Sequence, residues 1–127
     1  MSSYSPELDG LPDPGEVVWT WVPYEDDPAQ GKDRPVIVLG RDGAGALLCL
    51  SLTSKDHDRD AEQEASWGRY WMDVGTGAWD AERRPSEVRL DRLLRLPEAG
   101  VRREGAVLDR SVFDSVVTAA RAYHPEL

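Results

Sequence analysis

The sequence predicts a mainly β fold, a small antiparallel barrel with a C-terminal α-helix packed on it. Short runs rich in Val, Ile, Leu and Trp recur at hairpin spacing, separated by clusters of Pro, Gly and Asp. From Asp109 the apolar pattern switches to helical periodicity. Nowhere do strand and helix patterns alternate, which argues against a parallel sheet. At 127 residues the chain is sized for one domain with a single modest core.

Residues 1–14 hold Pro6, Pro12 and Pro14 among Ser, Gly and acids, the composition of a disordered lead-in to a single domain over residues 15–127. Residues 16–22, EVVWTWV, read as the first strand. Val18, Thr20 and Val22 share one face, and Val17, Trp19 and Trp21 the other. Pro23 ends it. Residues 24–34 form a long polar loop of the kind that is functional or mobile. Gly31 allows a tight bend, and Pro35 pushes Arg34 into extended backbone. Residues 36–39, VIVL, are the second strand, with Pro35 at its first position or on an edge. Asp42-Gly43 is a hairpin turn, and residues 46–53, ALLCLSLT, are the third strand. A polar, acidic stretch follows from Ser54, taking in the insertion 56–64. Residues 68–74 read as the fourth strand, 75–85 as a connector and 86–90 as the fifth strand. Residues 92–96, RLLRL, form a sixth strand or a helical turn followed by a short strand; periodicity does not choose. Residues 97–105 are a connection. Asp109 suits an N-cap whose carboxylate accepts from the next turn. Val112, Phe113, Val116, Val117 and Ala120 give the helix one apolar face to about Ala122.

Composition narrows the function. No apolar run approaches the roughly 20 residues that span a bilayer. The N-terminus lacks the basic and apolar segments of a signal peptide. Cys49 is the single cysteine, so there is no internal disulfide and no cysteine zinc cage. These features together point to the cytoplasm. A net charge of −9 argues against nonspecific nucleic-acid binding by the whole surface. Residues 83–103 run against that trend, with seven arginines to three acids.

Arg34 stands at the mouth of the second strand. A guanidinium there can fork onto a phosphate; the plainer alternative is a surface arginine covering a barrel end. If the second and third strands pair through Asp42-Gly43, Thr53 and Ser54 lie beside Arg34 at one sheet edge. Two hydroxyls beside a guanidinium can hold a phosphodiester and stabilise charge developing on it. The run Asp56-His57-Asp58-Arg59-Asp60 lacks the spacing of an oxygen cage and reads as a solvated loop, so no metal site is assigned. No Ser/His/Asp or Cys/His arrangement is present, and Gly75-Thr76-Gly77 is turn chemistry. The five tryptophans can stack bases, but such residues more often fill a small core or a dimer interface.

Several stretches resemble one family in register. Residues 15–23 (GEVVWTWVP), 34–38 (RPVIV), Thr53-Ser54, 86–96 (SEVRLDRLLRL) and 105–122 (GAVLDRSVFDSVVTAARA) are similar to successive motifs of the PemK/MazF toxins of type II toxin–antitoxin systems. The resemblance spans about residues 14–122. It implies an SH3-like barrel with a C-terminal helix, usually a homodimer. It also implies cleavage of single-stranded RNA without a metal or other cofactor, and neutralisation by a cognate antitoxin. On the matching positions, Arg34, Thr53 and Ser54 would be catalytic. Lys32, Arg83, Arg84 and Arg89 would contact RNA. The general base is not placed; Glu25, Asp26 and Asp27 are candidates. The chain departs from the family in its acidic insertion between strands three and four and in Trp21, where an acid is common. Related gyrase-poisoning toxins imply the alternative of a non-catalytic binding protein on the same barrel.

Overall fold

The structure, a computed structural model, describes residues 13–54, 66 and 68–127, with only the backbone of residues 104 and 105. The lead-in up to residue 12, the acidic insertion and Trp67 lie outside the described residues. The strands are β1 (Glu16–Pro23), β2 (Gly31–Arg41), β3 (Leu47–Thr53), β4 (Trp71–Gly75), β5 (Ser86–Arg89), β6 (Leu94–Leu96) and β7 (Arg102–Val107). Helix α1 (Arg110–Ala120) follows. All pairings are antiparallel, in the order β4-β5-β3-β2-β1-β7, with β6 added to β3. The result is a strongly curled half-barrel sheet with a C-terminal helix.

Alternation along β1 decides the two layers. Val17, with Ile37, Leu39, Leu48, Leu50 and Leu52, faces α1 and packs on Phe113, Val116, Val117 and Ala120. Val18 and Val22, with Val36, Val38, Leu47 and Cys49, fill the inside of the curl together with Leu94 and Leu96. Burial there pushes the Cys49 thiol up to about 12. Trp19 and Trp79 tie the β4–β5 connector to β1: Trp19 Nε1 donates to the Trp79 carbonyl (2.9 Å), and Trp79 Nε1 donates to Ser86 Oγ (3.0 Å). A Cβ on Gly77 would sit 2.1 Å from the Trp79 ring, so only glycine lets the connector fold over it.

Several sequence expectations need correction. β2 begins at Gly31, so the polar loop covers residues 24–30 and Gly31 serves close packing, not a bend. A Cβ there would lie 2.3 Å from the Val22 carbonyl of the facing strand. The fourth strand starts at Trp71, later than expected, and the helix ends at Ala120. Residues 97–105 are not merely a connection. They contain a 3-10 turn over Glu98–Gly100 and the start of β7, which pairs with β1. Its Arg103 donates to both carboxylate oxygens of the fully buried Glu16 (2.7 and 2.8 Å). Asp109 is the N-cap by its backbone, whose carbonyl accepts from Phe113 N (2.8 Å). Its carboxylate makes no capping bond.

Candidate functional site

β3 changes partners along its second edge. Leu47–Cys49 pair with β6, whereas Leu52 and Thr53 pair with β5. Between those partners the chain leaves the sheet over residues 90–93. That break has a counterpart on the other edge of β3, where the β2–β3 ladder ends at Val36–Ser51. Pro35, which has no N–H to offer, stands just beyond. Continued two residues, the register beyond the bulge at Val38/Gly40 would set Arg34 opposite Thr53.

Arg89 ends β5 with a side chain only 9% exposed. Its Nε and Nη2 donate to both oxygens of Asp91 (2.8–3.2 Å), and Nη2 also donates to Glu25 (3.0 and 3.1 Å). Burial works against its charge, but Asp91 and then Glu25 outweigh that and hold the guanidinium above its ordinary value. Arg92 donates from Nη2 to the Pro23 carbonyl (2.8 Å). Burial lowers Arg92; Glu25 opposes the shift, while Arg89 and Arg34 add to it. Arg34 and Arg89 are thus near enough for their charges to act on Arg92. Arg89 staples the 24–30 loop, and Arg92 the end of β1, to the break after β5. Among the described residues Arg34 has no ion pair, so it is the uncommitted cation of the three.

Cross-strand pairs share a face. Thr53 faces Glu87, and Trp71 faces Arg89, so Thr53, Glu87, Arg89 and Trp71 line one side of the β3–β5–β4 sheet. Thr53 is half-buried there, and Ser54 follows it exposed. The other expected residues sit elsewhere. Lys32 is exposed on β2 opposite Val22. Arg83 and Arg84 are exposed on the β4–β5 connector, Arg83 in left-handed backbone (φ 54°). Arg84 Nε is 2.8 Å from Asp80 and 3.4 Å from Glu82. Its hydrogen bond, then the Glu82 amide, holds the Asp80 carboxyl below the usual carboxylate range.

Sequence reasoning missed Asp91 and Arg92. The signal was available for Asp91: an Arg-x-Asp spacing at a strand end puts both side chains on one face. Arg92 gave none, because its partner is a backbone carbonyl of β1. Among the described residues, no three His, Cys, Asp or Glu side chains group to hold a metal ion. No described helix is long and apolar enough to cross a membrane.

Arg34 can grip an anion and Thr53 carries a neutral hydroxyl, while the Glu25 carboxylate is held by Arg89. Residues 13–123 match the family model described as a PemK-like, MazF-like toxin of a type II toxin–antitoxin system. Comparison with curated proteins gives no match.

Proposed function

Because the chain belongs to the PemK-like, MazF-like toxins of type II toxin–antitoxin systems, we propose that it is an endoribonuclease that cleaves single-stranded RNA and is neutralised by a cognate antitoxin. The observation that carries this reading is Arg34, an uncommitted guanidinium grouped with Arg89 and Arg92 at the end of the sheet where Thr53 lies. In the reaction a ribose 2′-OH attacks the adjacent phosphorus, and the 5′-oxygen leaves. The products are a cyclic phosphate and a free 5′-OH. This chemistry needs in-line geometry and stabilisation of the equatorial oxygens; a metal is not required.

Arg34 takes the phosphate. A guanidinium stays charged in proteins, so the role is electrostatic and not that of a proton donor. Thr53 hydrogen-bonds the phosphate or orients the 2′-OH, with Ser54 in support. Arg89 and Arg92 add positive potential, and Asp91 positions Arg89. Glu25, whose side chain is 54% exposed, is the candidate general base. Lys32, Arg83 and Arg84 extend the cationic surface toward the flanking strand. The working form is a homodimer, which sedimentation tests: only a 14.2 kDa species at low micromolar concentration counts against it.

The test is purified protein on mixed-sequence single-stranded RNA, with and without EDTA, beside Arg34→Ala. Fragments ending in cyclic phosphate, produced in EDTA and lost in Arg34→Ala, support the reading. Cleavage that stops in EDTA and returns with magnesium or zinc rejects the mechanism. A second reading has its own observation: Asp91 and Glu25 together occupy Arg89, which suits a barrel that binds a partner without cutting. RNA left intact by a well-folded protein favours that second reading.

A further inference from the structure

The break after β5 also anchors two aromatic rings. Tyr70 N donates to Asp91 Oδ1 (2.7 Å), the carboxylate that clamps Arg89, and the Tyr70 carbonyl accepts from Leu90 N (2.8 Å). From the other side, the turn after α1 holds Tyr123 and His124 through the Ala120 carbonyl. A His124 ring nitrogen lies 2.9 Å from the Leu90 carbonyl. The Tyr70 and Tyr123 rings stack with centroids 5.0 Å apart and planes 28° from parallel. Burial, then Tyr70 and Asp91, pushes the Tyr123 phenol above its ordinary value, so the Asp91 charge reaches this pair. Yet Tyr70 and Tyr123 remain 38% and 39% exposed, among the few large hydrophobic residues that are so within the described residues.

We propose that the Tyr70–Tyr123 stack is a nucleobase platform. A base next to the phosphate held by Arg34 stacks on these exposed rings. The proposal rests on the RNA reading above and adds a subsite to it. Single-stranded RNA alternates anionic phosphates with flat π-faces, and here a cationic group and an open aromatic face share one anchor, Asp91. Both rings are tied to the same break in the sheet as Arg89 and Arg92, so the platform is pre-organised relative to those two. Stacking of this kind tolerates any base, because every base has a π-face. It also suits an acidic protein, since it adds affinity that does not depend on net charge.

The probe is a mixed-sequence 2′-O-methyl oligoribonucleotide, which resists cleavage, beside an abasic strand of the same length. Tyr70→Leu and Tyr123→Leu should each weaken binding of the base-bearing strand about tenfold and leave abasic binding unchanged. Phenylalanine at either position should keep wild-type affinity, because the ring and not the hydroxyl is used. Arg89→Gln should weaken both strands. With 2-aminopurine in the strand, wild-type protein should quench its fluorescence, and the leucine variants should not. Leucine variants that bind the base-bearing strand as tightly as wild type, or quench 2-aminopurine equally, overturn the platform alone. So does a leucine variant that dissociates the protein in sedimentation while both strands bind normally, which would make the rings a contact with a second copy. Failure of unaltered protein to bind either strand overturns the RNA reading and the platform together.

Discussion

Arg89 and Arg84 come from the same basic segment, yet their side chains are 9% and 56% exposed. Arg84 pairs with Asp80 and Glu82 within its own connector. Arg89 pairs with Asp91 across the break after β5 and with Glu25, which is 64 residues away in the chain. A charge taken out of water must find a full set of partners, because an unpaired buried charge costs several kcal/mol. So the buried arginine draws the 24–30 loop and the sheet break together, and it fixes geometry. An exposed pair is screened and worth little, so the connector arginine contributes charge with no comparable effect on shape. The same residue type organises a site in one place and decorates a surface in the other.

The largest expected effect belongs to Arg34, which has no ion pair among the described residues. Arg34→Ala should lower RNA cleavage about 10²–10³-fold, the loss of a donor worth roughly 3–4 kcal/mol in the transition state. Arg84→Ala should lower it less than about threefold, as expected for a screened surface charge. Rates that fall equally in both variants break the distinction.

Stability offers a second contrast. Arg89→Met leaves Asp91 without its clamp and should cost about 3 kcal/mol in urea denaturation. Arg84→Met should stay within about 0.5 kcal/mol. Similar midpoints for the two proteins would mean that burial does not separate the two arginines. Thr53→Val, which removes a neutral donor, should reduce cleavage about tenfold while an uncleavable strand binds as before. Weaker binding instead would move Thr53 from the reacting phosphate to strand recognition.

The smallest effect concerns the connector. The Asp80 carboxyl is held below its ordinary value by Arg84. Its contribution is therefore fully present above the ordinary carboxylate pKa of about 3.9 and is lost as pH falls through the lower folded value. Asp80→Asn should thus melt slightly below wild type at pH 7, and the gap should narrow as pH falls below about 3.9. A gap that widens in acid would show that Asp80 is not held ionised by Arg84.

Much of this protein is local and was readable from sequence. Alternation along residues 16–22 sorts Val17 from Val18 into the two apolar layers, because successive strand residues point to opposite faces. Helical spacing finds Phe113, Val116, Val117 and Ala120. The Asp42-Gly43 turn marks the β2–β3 hairpin, although a bulge between Val38 and Gly40 shifts its register by one residue. The family's order of motifs was legible in the same way. What sequence could not supply were contacts made only when the sheet curls. β7 reads as a polar connection because it is an edge strand whose arginines face ions and water. Its Arg103 is identified as a structural cation only once it meets the buried Glu16, 87 residues away. Asp91, Arg92 and the Tyr70–Tyr123 stack belong to a break in the sheet whose place depends on β3 exchanging β6 for β5. Patterns between near neighbours follow from backbone geometry, which the sequence carries. Pairings between distant charges follow from the closure of the whole sheet, and only the tertiary structure decided them.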